Sequence, residues 1–338
     1  MTDKFTTPGF ADYILETRGA PNTFLDRINS IIDWKNIEKV LRKKYTKKAS
    51  ADGRPAYPPL PMFKLLLLQR WYGLSDPGTE EALKDRISFI RFTGFSLQSI
   101  LPDHSTICRF RNTLLTESIY ETLFAEVNRQ LEERHLLVRG VNAAIVDATI
   151  VESSQRPRKV VEIMAEDRKE EKTETPKVTY SKDTDATWIR KGKRPYYGYK
   201  AHISVDAKDG YVTGGHVTPA NIADTTELEK LVDHIPEGTI VLADKGYATE
   251  KNRDLLKEKK LENGIMDKAA RNRPLTPIEI ITNKIISSIR YKVERSIGTL
   301  KRGYRFCRMR YIGLKKANME FLLTAMAFNL KKAAAMIE

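Results

Sequence analysis

Hydrophobic and polar positions along this chain of 338 residues follow two periods, and the change between them falls near Asn142. Ahead of it the period is helical. Phe24, Leu25, Ile28, Ile31, Ile32, Ile37, Val40 and Leu41 sit at helical spacing, which predicts one or two helices over residues 23–45 with Asp33 as an internal cap. Residues 46–61, TKKASADGRPAYPPLP, are rich in Pro, Gly and Lys and read as an extended linker. Pro61 suits the first turn of the helix that follows, MFKLLLLQRWY, and Gly73 ends it. Glu80–Arg91 predicts another helix. From Asp103 the run DHSTICRFRNTLL can be capped by Asp103 or Ser105 and carries Arg109 and Arg111. Such a helix looks like the recognition element of a helix-turn-helix, although many helical bundles contain one. Thr116–Arg134 is a further helix with Tyr120, Leu123, Phe124, Val127 and Leu131 inward.

Beyond Asn142 the pattern becomes that of strands. AAIVDATIV, residues 143–151, is an apolar, β-branched run with Asp147 inside it, the look of a buried central strand. A carboxylate there needs a partner, because burying it unpaired is costly; backbone, Thr149 or a metal would each serve. Residues 155–196 carry twelve bases and eight acids with few apolar residues and read as a surface insertion, disordered when free. GYKAHISVD (198–206) and YVTGGHVTP (211–219) form a hairpin through the turn at 207–210. A helix begins near Asp224 with Leu228, Leu231 and Val232 inward. The strand TIVLAD, 239–244, ends in Asp244 before LysGlyTyr, which puts a carboxylate at the sheet edge where α/β folds hold ligands. A helix over Thr249–Lys259 and a short strand near Gly264–Met266 follow.

The last strong period is IISSIRYKVERSIGTLK, residues 285–301, with Ile285, Ile286, Ile289, Val293, Ile297 and Leu300 as its apolar face. Arg290, Glu294 and Lys301 project from one side. Between Glu279 and Glu320 eleven bases surround the single acid Glu294. That acid is either an intrahelical salt-bridge partner, worth about 0.3–0.5 kcal/mol, or a ligand for a hard cation held among phosphates.

Composition narrows the class. Hydrophobic content of 41% with 30% charged residues fits a globular protein, and the net charge of +14 points to nucleic acid. Most of the excess lies at residues 271–316, where thirteen Lys or Arg stand against two Glu, so tight but salt-sensitive binding is expected. Ribosomal and membrane-surface proteins share such charge. Cys108 and Cys307 have no CxxC or CxxH spacing, which indicates neither a disulfide framework nor a structural zinc site. There is no signal pattern and no apolar run of membrane-spanning length, so a reducing cytoplasm is the expected compartment and no membrane partner is expected. Trp34, Trp71 and Trp188 read as packing residues, and His202 as a hydrogen-bonded structural histidine.

A strand with Asp147, a hairpin, a helix, a strand ending in Asp244, a helix, a strand and a helix with Glu294 together resemble the ribonuclease H-like fold. The blocks VDATIV, YYGYKAH, VTPANIAD and ADKGY, with residues 54–114 ahead of them, are similar to bacterial DDE transposases of the insertion sequence 5 family. Arg290, Glu294 and Lys301 match the pattern around that family's third acid, whereas Ser287 stands where the pattern has Tyr. The resemblance implies an α+β protein, a ribonuclease H-like mixed sheet with flanking helices preceded by an all-helical domain. Its divisions would be helices at 1–45, a helical DNA-binding or dimerisation domain at 46–140, a catalytic domain at 141–316 containing the insertion, and a C-terminal helix at 317–338. It implies Asp147, Asp244 and Glu294 as catalytic and metal-binding acids, with Asp147 bridging two Mg²⁺ ions and Mn²⁺ as a substitute. Expected partners are double-stranded DNA, as terminal inverted repeats and as target, and a second copy of the chain in the DNA complex. Expected DNA contacts are Arg290, Lys301, Arg295, Lys245, Arg109 and Arg111, although Lys245 would equally suit a solvated turn. The setting would be a bacterial cytoplasm, nucleoid-associated when bound. A non-catalytic DNA-binding regulator and a structure-selective DNA nuclease of the same fold are the competing functions.

Overall fold

A computed structural model describes residues 5–7, 23–44, 56–137, 143–162, 177–271 and 273–337. The expectations for residues 1–4, 8–22 and 45–55 therefore lie outside the described residues. Helix α1 (Phe24–Ile31) starts at Thr23, whose hydroxyl accepts from the Asp26 N–H while the Asp26 carboxylate accepts in return, a reciprocal cap. The cap at Asp33 opens α2 (Trp34–Lys44). Helix α3 (Pro59–Tyr72) begins with Pro59 and stops at Gly73, which takes φ +67°, a left-handed conformation that costs glycine little. The expected helix over residues 80–91 is instead two, α4 (Asp76–Asp85) and α5 (Ile87–Thr93), broken by the extended backbone of Arg86. The break lets Leu83 and Phe89 enter the core from different directions. Asp103 caps α6 (His104–Thr113), and α7 (Ile119–Glu133) follows after a single 3₁₀ turn.

Strand β1 (Ala143–Glu152) is central. The hairpin β2 (Arg158–Glu162) and β3 (Lys177–Ser181) forms a separate two-stranded sheet, and β4 (Thr187–Lys191) leads into β5 (Arg194–Asp206) and β6 (Val212–Pro219). After α8 (Leu228–Val232) come β7 (Ile240–Ala243), α9 (Glu250–Glu258) and β8 (Glu262–Ile265). The main sheet runs β6-β5-β1-β7-β8, with β4 also on β5; β5 is antiparallel to β1 and β6, while β1, β7 and β8 are parallel. This strand order and sense are those of the ribonuclease H-like fold. Where it is described, the charged segment at 155–196 is not the loose insertion expected; its residues 163–176 lie outside the described residues. Its second half is built into the protein: β4 pairs with β5, and the buried Asp183 accepts from the Ser153 and Tyr199 hydroxyls at 2.8 and 2.6 Å. A carboxylate satisfied in this way anchors a charged stretch that has few apolar side chains.

Alternation along β1 divides the core. Ile145 and Val151 join a large core with α10 (Pro277–Gly303) and α11 (Leu314–Met336), whereas Val146 packs with Leu228, Leu231 and Val232 on the other face. Helix α11 is apolar almost all round because β6, α1, α3 and α7 all pack against it. It therefore joins the N-terminal helices to the sheet. The Arg70 guanidinium meets the Glu320 carboxylate at 2.8 Å with both side chains buried, the Trp71 indole N–H donates to the Ala327 carbonyl, and Arg310 donates to the Leu74 carbonyl.

Candidate active site

Asp147 occupies the middle of β1 on the face turned to α10. Its Oδ1 accepts from the Ala148 N–H at 2.8 Å, and its Oδ2 lies 3.2 Å from Arg290 Nη2 on α10. Asp244 follows the last residue of β7, parallel to and beside β1, and its Oδ1 caps the next turn by accepting from the Gly246 N–H at 2.7 Å. Glu294 projects from α10 at an exposed position. Asp147 and Asp244 thus stand on or just after neighbouring parallel strands, and Glu294 on the helix that packs against both.

Electrostatics ties them together. Burial pushes the Asp147 carboxyl up to about 6; Asp244 and Glu294 push the same way, while Arg290 and the Ala148 N–H pull it down. Arg290 therefore serves Asp147 across the fold instead of Glu294 one turn along its own helix, and the intrahelical ion pair is not the arrangement found. Its Nη1 reaches Met266 Sδ at the end of β8, and its Nε is buried without a hydrogen bond. Helix α10 is held in place by polar hooks as well as packing. Asn283 exchanges hydrogen bonds with the Asp267 backbone, Lys292 and Ser296 donate to carbonyls of the β5–β6 turn, and Lys301 donates to the Ile150 carbonyl of β1 at 3.0 Å.

The basic candidates separate by position. Lys245 is exposed beside Asp244, and Arg109 is exposed on α6, where it donates to Ser105. Lys301 lies at the site's margin, half-buried, with its pKa lowered by burial and by Lys191. Arg295 is exposed and lines a groove between α10, the β5–β6 turn and the end of α11. Arg111 is a correction. Only 2% exposed, it makes a bidentate pair with Asp76 at 2.6–2.7 Å and lies over the Tyr311 ring, so no phosphate can reach it. Its position two residues after Arg109 turns it from solvent into the contact between α6 and the start of α4. Ile285, expected on the apolar face, is 56% exposed, and the face is carried by Ile286, Val293 and Leu300.

Sequence reading missed three residues at the site. Tyr247, of the ADKGY block, is buried 1% exposed with no partner for its hydroxyl, and its pKa is raised well above the usual value by burial and by Asp224, Asp147 and Asp244. Asp224 lies behind it, its Oδ1 2.8 Å from Lys200 Nζ. Lys191 reaches the neighbourhood of Lys301 from the charged insertion. The contiguity of Tyr247 with Asp244, and the place of Asp224 at the end of the VTPANIAD block, could have flagged two of them. His202 is the structural histidine expected, stacked on His216 and bonded to Thr218.

The charges of Asp244 and Glu294 add to the cost of ionising Asp147, oxygen ligands are the donor type that suits a hard divalent cation, and Arg290 supplies the local positive charge. Among the described residues, no three His, Cys, Asp or Glu side chains are drawn together tightly enough to hold a metal. The side-chain geometry explains this: Asp147 is turned to Arg290, Asp244 to its own turn, and Glu294 to solvent.

A family model described as a transposase DDE domain matches residues 142–330, and one described as a transposase domain (DUF772) matches residues 14–113. The transposase for insertion sequence element IS1106 of Neisseria meningitidis serogroup B is 43% identical over 227 residues, which are 67% of this chain and 77% of that protein. The cryo-EM structure of the piggyBac transposase synaptic complex with hairpin DNA aligns with 92% of this chain and 72% of its own at 11% identity and a TM-score of 0.45.

Proposed function

The chain belongs to the DDE transposases of bacterial insertion sequences, and from that membership we propose that it binds terminal inverted repeats, cuts the phosphodiester at the element's ends and joins the freed 3′-hydroxyl to target DNA. The observation that carries this reading is the placement of three acids on a central strand, just after the strand paired parallel to it, and on a late helix whose Arg290 reaches Asp147 at 3.2 Å. Two Mg²⁺ ions, or Mn²⁺ in their place, held by these carboxylates would supply activation of the attacking oxygen and charge stabilisation at phosphorus. The chain's own groups do the rest. Arg290 offsets the charge of Asp147 before substrate arrives and has further guanidinium N–H groups for a phosphate oxygen. Lys245, exposed beside Asp244, and Lys191 with Lys301 on the other margin hold the strand across the acids. Arg109 offers a separate backbone contact on α6. Two ends must meet in one complex, so a pair of chains is the acting unit.

The test compares wild type with Glu294→Gln on a labelled duplex carrying the inverted repeat that flanks the gene, in Mg²⁺. The substitution keeps the side chain's shape and removes a charge. The variant should bind the duplex yet cut and join at roughly a hundredth of the wild-type rate or less, since a loss of about 3 kcal/mol of transition-state stabilisation corresponds to that factor. Wild type that binds but cuts in neither Mg²⁺ nor Mn²⁺ would instead mark a DNA-binding regulator.

A further inference from the structure

Beside α10 lies an open groove of about 600 Å³, walled by α10, the β5–β6 turn and the C-terminal part of α11. Five cations line it, Lys208, Lys292, Arg295, Lys331 and Lys332, against one acid, Asp209. The walls are fixed. Lys292 donates to the Lys208 carbonyl at 3.0 Å, and Ser296 donates to the Gly210 carbonyl at 2.7 Å. Gly210 has φ +76°, and a Cβ there would meet Ser296 Oγ at 2.8 Å, so glycine lets the turn sit against the helix. Lys332 is held over the Tyr211 and Phe328 rings. Tyr291 stands half-exposed on the rim.

Helical geometry relates this groove to the acids. Arg295 is the residue after Glu294 and Tyr291 lies one turn before it, so the rim of the groove and the acid site share the exposed face of one helix about 10–12 Å across. We propose that the groove carries the phosphate backbone of the same DNA duplex whose end lies at the three acids, gripping it several nucleotides from the bond that is cut. The inference rests on the transposase reading. Cations from three separate segments, spread along a groove and left without matching acids, suit a run of phosphates better than a single anion. The fixed walls mean that little ordering is needed on binding.

The experiment measures duplex binding by fluorescence anisotropy over a range of salt for wild type, for Lys208→Glu/Arg295→Glu/Lys331→Glu, and for a matched reversal elsewhere, Lys39→Glu/Lys84→Glu/Lys257→Glu. Each lost phosphate contact lowers the slope of log K against log salt by about 0.9, so the groove variant should lose a slope of roughly 2–3 while the matched control keeps the wild-type slope. Restoring Arg295 as Lys in the groove variant should recover about one contact's worth. Unchanged slope and affinity in the groove variant, or an equal loss in the control, would overturn the inference. Wild type that binds no duplex at any salt would refute the transposase reading itself. Thermal melting of both triple variants at the wild-type temperature ensures that the change is one of binding.

Discussion

Asp147 sits where a charge is costly, and the sign of that cost can be measured. Its carboxyl titrates near 6 in the fold against an ordinary value of 3.8, raised first by burial and then by its two acidic neighbours. A raised carboxyl stabilises the fold below the unfolded value and loses that contribution as pH climbs through the folded one. Without divalent cations, Asp147→Asn should therefore be more stable than wild type above pH 6, by about 2–3 kcal/mol, and the advantage should vanish below about pH 4. Urea unfolding across that pH range reads the difference directly. The difference is the proper quantity because His202 pulls the other way: burial, then His216, holds it down to about 3, so its contribution is lost as pH falls below its ordinary 6.5. Both proteins share that loss. A flat difference across pH would mean that Asp147 is not the costly group.

Helix α10 must hold Glu294 and Arg290 in register with β1 although little of it is buried. Of its apolar residues only Ile286, Val293 and Leu300 are fully enclosed, while Ile278 is 76% exposed. Polar hooks from Asn283, Lys292, Ser296 and Lys301 supply direction, and the three apolar side chains supply most of the grip. Leu300→Ala should cost about 2–5 kcal/mol, the range for emptying a packed leucine site. Equilibrium urea unfolding checks this, and a cost under 1 kcal/mol would show that the hooks alone hold the helix.

At the scale of the whole molecule the N-terminal helices and the sheet share one continuous core through α11. The Arg70–Glu320 pair lies at that junction, with side chains 3% and 2% exposed, and Glu320 also accepts from the Arg310 N–H at 2.8 Å. Glu320→Ala would leave a buried guanidinium with no counter-charge and should cost about 3–5 kcal/mol. Tryptophan fluorescence, which reports on Trp71 at the junction, and far-ultraviolet circular dichroism should both follow a single transition in wild type. Two separate transitions would show that the helical and sheet regions unfold independently.

Local pattern determined much of this. The caps at Thr23, Asp33 and Asp103, the stop at Gly73, the run around Asp147 and the strand ending in Asp244 are all short-range signals, in which a few neighbouring side chains decide the backbone. Asp147, Asp244 and Glu294, the acids proposed for catalysis, lie on such elements. What the chain could not announce is which long side chain reaches across the fold. Arg111 and Arg109 look alike in sequence, yet one is buried against Asp76 and Tyr311 and the other meets solvent. Arg290 stands one turn from Glu294 and pairs with Asp147, more than a hundred residues away in sequence. Tyr247 meets the acids, and five cations from three segments meet around one groove, only because strands β1, β5 and β7 fix where α10 and α11 lie. Sequence spacing sets the face of a helix, but only tertiary packing sets what that face meets.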